Sequence, residues 1–269
     1  MSGLPVVVIP VFNARAQLGR CLAAVRKTVG TAADVVVIDD ASTDPAITEL
    51  LESRCAGWTV IRQSENLGFV ATANRGMLEA GRRDVVLLNS DTVPAGDWLQ
   101  RISRCAESDS GIASITPFTN NGEIASLPLF CHASQVPEDS EAWALACRQA
   151  AEPSYPEIPT AVGFCMYMRR ACIDRIGVFD EIAFGRGYGE ENDWCMRAAA
   201  AGYRHVLCDD AFVGHEGNAS FGPLGLGPGD AAMRKLLERH PGYLEMVTDF
   251  IQRDPLADIR ARILERLPS

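Results

Sequence analysis

The sequence contains no run of apolar residues as long as the roughly 18 to 20 that a membrane-spanning helix needs. Its nine cysteines are scattered and never spaced as Cys-x-x-Cys, which argues against a disulfide framework and against a zinc ribbon. Clusters of lysine and arginine are absent and the formal net charge is -10, which argues against non-specific binding of nucleic acid. The first residues, MSGLPVVVIP, lack the features of a signal peptide, so we expect a cytoplasmic protein without a transmembrane segment.

Two phosphate-binding motifs are also missing from the start of the chain. No Gly-x-Gly-x-x-Gly follows the first apolar run, which disfavours enzymes that use a nicotinamide cofactor. No glycine-rich, basic loop occurs between residues 5 and 20, which disfavours nucleotidyltransferases that make nucleotide sugars. An acidic chain of this kind needs a cation or a local basic patch to bind an anionic diphosphate, so a metal held by carboxylates is expected for such a ligand.

The first half of the sequence alternates apolar runs with helical periodicity. Runs of β-branched residues at Val6–Ile9 and Val35–Ile38 predict buried parallel strands, and the segment between them has helical spacing. Two further runs, Thr59–Ile61 and Val85–Leu88, enclose another helix-like segment. With 269 residues, of which 47% are hydrophobic, the chain can bury a large core, and we predict an open, doubly wound α/β sheet.

The second half is less regular. Prolines and acidic clusters in residues 134–160 predict a variable surface excursion. Val162–Met168 predicts a strand, and Asn192–Ala201 predicts a helix that ends at Gly202. The last segment is amphipathic, and we expect it to pack on the domain rather than to pair with another subunit or touch a membrane. Its apolar face consists of Leu256, Ile259, Ile263, Leu264 and Leu267.

Polar side chains stop each of the first four apolar runs. Ligands of open α/β sheets bind beyond the carboxyl ends of the strands, so these side chains are expected to face one cleft. Asp39 is interpreted as a ligand-binding carboxylate, whereas Asp40 fits a simple turn. Asp91, taken alone, is better explained as the cap of a turn than as a metal ligand. The polar stops are Asn13, Asp39 with Asp40, Asn66, and Asn89 with Asp91.

Adjacent acids follow a glycine-rich loop late in the chain. Glu190 and Glu191 repel each other, which raises the proton affinity of one of them and suits a general base. Acids also collect at helix starts because of the helix dipole, but the glycines of residues 185–189 favour a loop that closes over a substrate. His215 follows a late strand, where a neutral imidazole can ligate a metal or contact a phosphate, although a lone histidine is more often structural.

Read in order, these segments resemble family 2 glycosyltransferases of the GT-A fold, from about Pro5 to His215. The matching pieces are IPVFN, VVVIDDASTD, ENLGFVATANRGM, LLNSDTVP, VGFCMYMRRACIDRIGVFDE, GYGEENDWCMR and the late histidine. The resemblance implies a GT-A-type α/β fold, in which a Rossmann-like, mainly parallel sheet is flanked by helices, with a helical C-terminal tail. It implies a domain over residues 1–222, made of a nucleotide-sugar-binding half (1–116) and an acceptor and catalytic half (117–222). A helical extension over 223–269 follows.

The same resemblance assigns roles to individual residues. Glu191 corresponds to the catalytic base, with Glu190 and Asp193 as further acids beside it. Asp91 and His215 correspond to ligands of a divalent cation, Mg²⁺ or Mn²⁺. The residues implied in binding the nucleotide sugar are Pro10, Phe12, Asn13, Asp39, Asn66, Gly68, Asn74, Arg75, Asn89 and Ser90. Two departures stand out, since Asn89 replaces the first aspartate of the family's Asp-x-Asp motif and the base is glutamate where aspartate is usual.

The function implied by the resemblance is inverting transfer of a sugar from a nucleoside-diphosphate sugar to a hydroxyl of a glycan or lipid-linked acceptor. Assembly of bacterial surface polysaccharide is the expected setting, at the inner face of the membrane if the acceptor is lipid-linked. The alternative is a catalytically silent GT-A module that binds sugar nucleotides or acts as a scaffold, and Asn89 favours this alternative. The sequence leaves the sugar, the acceptor and the oligomeric state open.

Overall fold

A computed structural model describes residues 3–185, 187–217 and 230–267. The strands are β1 (Val6–Val11), β2 (Val35–Asp39), β3 (Thr59–Arg62), β4 (Val85–Leu88), β5 (Thr92–Pro94), β6 (Ile112–Phe118), β7 (Cys165–Met168) and β8 (Arg204–His215). The helices are α1 (Arg15–Thr28), α2 (Pro45–Arg54), α3 (Phe69–Glu79), α4 (Trp98–Ser108), α5 (Ser140–Ala150), α6 (Arg170–Ile176), α7 (Glu181–Phe184), α8 (Glu190–Ala200), α9 (Asp230–Arg239), α10 (Tyr243–Arg253) and α11 (Ala257–Leu264). A short 3₁₀ helix spans Glu123–Ala125.

The eight strands form one sheet in the order β3-β2-β1-β4-β7-β6-β8-β5. Strands β3, β2, β1 and β4 are mutually parallel, which confirms the predicted parallel half. Strand β7 is antiparallel to both of its neighbours, whereas β6 and β8 are parallel to each other. The short edge strand β5 pairs antiparallel with β8. The polar ends of β1, β2 and β4 therefore lie at one edge of the sheet.

Helices cover both faces of the sheet, and the alternation along β1 shows why its residues are all apolar. Val7 and Ile9 pack with α1 and α4 on one face, while Val6 and Val8 pack with α3 and α8 on the other. Helix α3 approaches β1 so closely that a Cβ atom on Gly76 would lie 2.1 Å from Val8 Cγ1. A glycine at this position is what allows α3 to lie against the sheet.

The prediction of a surface excursion over residues 134–160 is wrong for its central part, because this part forms α5. The Asp139 side chain caps the helix by accepting from the backbone N–H of Ala142 at 3.0 Å. Ala146 and Cys147 are buried against Phe212 of β8. Only one side of α5 is apolar, and the acidic and proline-rich flanks obscure that side in the sequence.

The C-terminal amphipathic segment packs on the domain, as predicted. Leu256, Ile259 and Ile263 are buried in a cluster with Phe118 and Phe212, whereas Leu264 remains 37% exposed. None of the helices in the described ranges is both long and apolar enough to span a membrane. The predicted domain boundary at residue 222 lies outside the described residues.

Candidate functional site

The candidate site is a cleft at the carboxyl ends of the parallel strands. Asp39 is the last residue of β2 and pairs with Val11 of β1, while Asn89 directly follows β4 on the other side of β1. Adjacent strands are about 4.8 Å apart, so these two strand ends are separated by about 10 Å. That separation suits a ligand the width of a nucleotide.

Two neighbouring aspartates at the end of β2 have different surroundings. Asp39 is buried, and its Oδ1 accepts from the backbone N–H of Ser42 at 3.0 Å. Asp40 uses both oxygens, accepting from Gln63 Nε2 at 2.7 Å and from the N–H groups of Leu67 at 2.8 Å and Gly68 at 2.9 Å. Burial raises the pKa of Asp40, and these hydrogen bonds offset part of the rise. Asp40 thus holds a loop in place, in agreement with the structural role interpreted for it.

Most of the residues assigned to the nucleotide pocket line this edge of the sheet. Pro10 is buried in β1 opposite Ile38, and Phe12 is partly buried just beyond the strand. The side-chain oxygen of Asn13 accepts from the N–H groups of Thr43 at 2.9 Å and Asp44 at 3.1 Å. Asn13 therefore joins the loop after β1 to the loop after β2 and shapes the rim of the pocket.

The second part of the donor-side group lies on the loop before α3 and on α3 itself. Asn66 Nδ2 donates to the carbonyl of Asp40 at 3.3 Å, and Gly68, with φ 89°, begins the helix. Arg75 is exposed and lies 3.8 Å from Glu79. Asn74 is buried, and its amide bonds the backbone of Phe179 in both directions at 2.9 Å. Asn74 thus links α3 to the distant segment around Phe179, and its amide is used in this link rather than left open to a ligand.

Asp91 and His215 face each other across the junction of β5 and β8. Asp91 is 7% exposed, and its Oδ1 lies 3.5 Å from Nε2 of His215. Two metal–ligand bonds of about 2.1 Å can span such a distance. The ring of His215 stacks on Phe164 with centroids 5.2 Å apart. Burial lowers the pKa of His215, but the hydrogen bond and charge of Asp91 outweigh it, so the pKa lies above its ordinary value.

The imidazole of His215 is held in the tautomer that a metal ligand needs. Its Nδ1–H donates to the carbonyl of Asn121 at 2.6 Å, so Nε2 faces Asp91: it carries the second proton when the ring is charged and offers a lone pair to a metal when the ring is neutral. The Asn120 side chain accepts from the His215 N–H and donates to the His215 carbonyl, both at 2.8 Å. The Asn120 side chain therefore forms the two hydrogen bonds that a neighbouring strand would form, and it fixes the end of β8.

The oxygen and nitrogen atoms present fit a hard divalent cation that also binds a phosphate. Within the described ranges no group of three or more His, Cys, Asp or Glu side chains converges on one point, and Asp91 and His215 are the candidate pair. One carboxylate with substrate phosphates is a common way of holding Mg²⁺. The side-chain oxygen of Asn89 is buried and has no hydrogen-bond partner among the described residues, so it remains available to a ligand.

Glu190 and Glu191 lie at the start of α8, after Gly189 with φ 91°. Oε2 of each carboxyl group is buried and lacks a hydrogen-bond partner in the described part of the chain. Burial raises the pKa of Glu191. Burial and the charge of Glu191 raise the pKa of Glu190 well above its usual range. Both acids thus retain protons more strongly than exposed glutamates do. The sequence predicts this for one acid from the repulsion within the pair, whereas burial is the larger cause for both.

A short series of contacts connects the acid pair with the candidate metal ligands. The Glu191 carboxyl lies against Gly163, where a Cβ atom would be 3.8 Å from Oε1. The next residue, Phe164, accepts at its carbonyl from the N–H of Asn89 at 2.9 Å and stacks its ring on His215. Glu191, Asn89 and His215 therefore surround one short segment, residues 163–164.

Asp193 has different surroundings from the other acids of α8. Its side chain is fully buried and forms ion pairs with Arg197 at 2.8 Å, His240 at 3.0 Å and Arg239 at 3.2 Å. The structure therefore places Asp193 in an ion-pair network instead of beside the base.

Several residues that shape the site were missed from the sequence, namely Asn120, Asn121, Gly163 and Phe164. The acids and the histidine of the site are recognisable by residue type and by their positions at strand ends. Asn121 and Gly163, by contrast, act through a backbone carbonyl or the absence of a side chain. The fragment Thr119-Asn120-Asn121-Gly122, a cluster of turn formers, is the one available signal.

A family model described as Glycosyl transferase family 2 matches residues 6–177. No curated protein matches the chain. Strands β1, β2 and β4 and the residues at their ends lie inside the matched range, whereas Glu191 and His215 follow it.

Solved structures show the same fold at low sequence identity. The crystal structure of GalNAc-T7 with UDP, GalNAc and Mn²⁺ has a TM-score of 0.64 and 16% identity, covering 93% of this chain and 58% of that chain. Mannosyltransferase PcManGT from Pyrobaculum calidifontis, in complex with GDP-Man and Mn²⁺, has a TM-score of 0.58 and 14% identity. The match covers 99% of this chain and 74% of that chain. S. aureus TarS 1-349 in complex with UDP-GlcNAc has a TM-score of 0.63 and 15% identity, covering 100% and 82%.

These likenesses confirm the GT-A-type α/β fold predicted from the sequence. The chain spans 58% of the length of GalNAc-T7, so that structure also contains regions with no counterpart here. The family match covers well over half of the 269 residues and includes the edge of the sheet at which β1, β2 and β4 end. The chain therefore belongs to glycosyl transferase family 2.

Proposed function

We propose that the protein is a metal-dependent, inverting glycosyltransferase that moves a sugar from a nucleoside-diphosphate sugar to a hydroxyl of a glycan or lipid-linked acceptor. The observation that carries the proposal is the contact of Glu191 with Gly163, next to the residue that stacks on His215. A base and a pair of candidate metal ligands on either side of one short segment suit catalysis at the bond between a sugar and a diphosphate.

The donor half of the proposal places the nucleoside between the ends of β1 and β2, with Asp39 accepting hydrogen bonds from the base. The pocket residues assigned from the sequence complete this half, except that the contacts of Asn74 favour a bridging role. Asp91 and His215 hold the divalent cation, Mg²⁺ or Mn²⁺. When bound, the cation supplies Lewis-acid stabilisation of the negative charge that develops on the departing diphosphate. Complexes of GalNAc-T7 and PcManGT contain Mn²⁺, which supports this choice of cation.

In the proposed reaction Glu191 removes the proton from an acceptor hydroxyl. The acceptor oxygen forms a bond to the anomeric carbon on the face opposite the diphosphate, and the bond from that carbon to the diphosphate oxygen breaks. The electron pair of the broken bond leaves with the diphosphate, so the anomeric configuration inverts. The raised pKa of Glu191 suits this role because a base works best when its pKa lies near the operating pH.

The proposed setting is assembly of surface polysaccharide in the cytoplasm, with the lipid-linked form of the acceptor at the inner face of a membrane. The proposal keeps residues 1–222 as the catalytic domain, with a donor half over 1–116 and an acceptor half over 117–222. It treats residues 223–269 as a helical extension. The packing of Leu256 and Ile263 into the core supports an extension docked on the domain.

Substitution of the base and of the metal ligand tests the proposal. Glu191→Gln and Asp91→Ala should each reduce metal-dependent transfer by at least about a hundredfold, because the first removes the general base and the second removes a ligand of the cation that stabilises the leaving diphosphate. The measurement is release of nucleoside diphosphate in the presence of Mn²⁺, with UDP-N-acetylglucosamine, UDP-glucose and GDP-mannose as donors. Glu52→Gln is the matched control, since Glu52 is an exposed glutamate paired with Arg62 on the surface, and it should retain full activity.

Full activity in Glu191→Gln would overturn the assignment of the base. If the wild-type protein with Mn²⁺ neither releases nor binds UDP or GDP, the catalytically silent alternative is correct instead. Thermal stabilisation by nucleotide and Mn²⁺ measures binding independently of turnover.

A further inference from the structure

Helix α9, the first helix of the C-terminal extension, makes direct contacts with α8, the helix that carries Glu191. Asp193 lies two residues after Glu191 in the first turn of α8 and is completely buried. Its Oδ1 accepts from Arg239 Nη1 at 3.2 Å and from His240 Nε2 at 3.0 Å. Both partners come from the end of α9, so a buried carboxylate of α8 depends on a C-terminal element for two of its hydrogen bonds.

Arg239 also holds the segment that precedes the glycine-rich loop. Its Nη2 donates to Asp180 Oδ2 at 2.8 Å, and its guanidinium lies 5.7 Å from the ring centroid of Phe184. Asp180 caps α7 by accepting from the N–H of Ala183, and Phe184 is the last residue of that helix. One arginine thus contacts α8, the start of α7 and the end of α7.

The opposite side of this segment is fixed by α8 and α3. Arg197 donates to the carbonyls of Ile176 at 2.7 Å and Val178 at 2.9 Å, while its Nε donates to Asp193 at 2.8 Å. Asn74 of α3 bonds the backbone of Phe179 and the carboxylate of Glu181. The residues on both sides of the loop that contains Gly187 are therefore anchored, and α9 supplies one of the anchors.

The first turn of a helix is where such an anchor has the largest effect. Its backbone N–H groups lack partners within the helix, so the turn frays unless other contacts hold it. Glu191 occupies this turn, and the glycines before it provide little restraint. A buried carboxylate two residues further on, bonded to two arginines and a histidine, restrains the turn from the other side.

We propose that Arg239 and His240 are positioning residues for the base: through Asp193 and Asp180, the end of α9 holds the start of α8 and the preceding loop so that Glu191 meets the acceptor hydroxyl. This inference rests on the proposed function, because it takes Glu191 to be the base. It makes the C-terminal extension part of the catalytic unit. Displacement of a catalytic group by about 1 Å can reduce the rate by about a hundredfold.

The test compares Arg239→Ala with Arg253→Ala in the full chain. Arg253 pairs with Asp249 on the exposed surface of α10, so its variant loses an arginine and an ion pair in the same C-terminal region. Arg239 is 37% exposed in its side chain, so its replacement leaves the core intact. The readouts are kcat and donor KM for release of nucleoside diphosphate from the three donors named above with Mn²⁺, and thermal stabilisation by UDP with Mn²⁺.

Arg239→Ala should lower kcat by about tenfold or more, with donor KM and the UDP-dependent stabilisation within about twofold of wild type. The kcat of Arg239→Lys should lie between those of wild type and Arg239→Ala. An ammonium group is a point charge and cannot bind both carboxylates as the planar guanidinium does. Arg253→Ala should match wild type. If α9 had only a structural role, Arg239→Ala would destabilise the whole protein. It would then change kcat, donor KM and nucleotide binding together.

Hydrogen exchange provides a readout that does not need turnover. Backbone amides of residues 189–193 should exchange faster in Arg239→Ala than in wild type, while the amides of β1 stay unchanged. Unchanged kcat in folded Arg239→Ala, or unchanged exchange at residues 189–193, would overturn the inference. Loss of activity in Glu191→Gln together with full activity in Arg239→Ala would reject this inference alone, whereas full activity in Glu191→Gln would reject the proposed base itself.

Discussion

At the scale of single residues, the decisive feature is the pair of adjacent glutamates at the start of α8. Glu190 is 4% exposed, and its raised pKa results from burial first and from the charge of Glu191 second. Two carboxylates this close cannot both ionise easily, so the pair titrates as a unit that retains one proton to higher pH than an exposed glutamate would. A base with such a neighbour holds a proton more strongly than an isolated exposed glutamate does.

The raised pKa of Glu190 predicts how stability depends on pH. Because the pKa in the folded state exceeds that in the unfolded state, its contribution to stability is complete below the ordinary pKa of glutamate and is lost as pH rises through the raised value. Glu190→Gln removes this loss. Urea unfolding at pH 5 and pH 8 should therefore show that the variant gains free energy of unfolding relative to wild type as pH increases.

The exposed substitution Glu52→Gln is the control for this titration, and its difference from wild type should stay the same at both pH values. A constant difference between Glu190→Gln and wild type would contradict the account of the buried pair.

The sequence predicts single residues well where their type carries the chemistry. The strand-end acids and the two adjacent glutamates could be selected in this way, and Asp39 could be distinguished from Asp40. Asn120 could not be selected, because its role depends on contact with a strand end 95 positions later in the chain. Asp193 was grouped with the base because it lies two residues from Glu191, but its partners Arg239 and His240 become neighbours only when α9 docks.

At the scale of secondary-structure elements, the contact between α3 and β1 sets the position of the donor-side loop. Gly76 is buried in α3, and an added Cβ would overlap Val8 of the central strand. The helix begins at Gly68, whose N–H is held by Asp40. The close approach of α3 to the sheet therefore fixes the loop that carries Asn66 and Gly68.

Replacement of helical glycines provides a matched pair of stability measurements. Gly76→Ala should lower the free energy of unfolding by about 1 to 3 kcal/mol, because the methyl group would lie 2.1 Å from Val8 Cγ1. Gly19→Ala in α1 should raise it by about 0.4 to 1 kcal/mol, since its methyl group would be 4.0 Å from Leu50 and alanine favours the helix. Chemical denaturation measures both, and equal effects of the two substitutions would contradict the packing described for α3.

Elements buried on both faces were predictable from continuous apolar runs, as β1, β2 and β4 show. In strand β8, Asp209 and Asp210 interrupt the apolar pattern that marks a buried strand. Both acids are buried: Asp210 pairs with Arg101 at 2.5 Å, and Asp209 accepts from the N–H and hydroxyl of Ser154. Their charges are compensated by partners distant in sequence, so a strand of twelve residues continues through them.

At the scale of the whole molecule, the net charge of -10 and the anionic donor create an apparent conflict. In the proposed site a divalent cation resolves it, since Asp91 contributes one carboxylate and the neutral Asn89 removes a second charge from the same strand end. Asp193, although acidic, is paired with Arg197 and Arg239 and accepts a hydrogen bond from His240, so it adds no net negative charge to the cleft. The acidic composition and the use of a diphosphate donor are therefore compatible.

The central claim is that Asp39, Asp91, His215 and Glu191 surround one nucleotide site, and a crystal structure with Mn²⁺ and a nucleoside diphosphate tests it most directly. The nucleotide is UDP or GDP, whichever stabilises the protein more in the presence of Mn²⁺. The account predicts Mn²⁺ bound to the Asp91 carboxylate and His215 Nε2, the base beside Asp39, and the diphosphate on the side of the cleft that faces Glu191. Mn²⁺ bound elsewhere, or a diphosphate remote from Glu191, would contradict it.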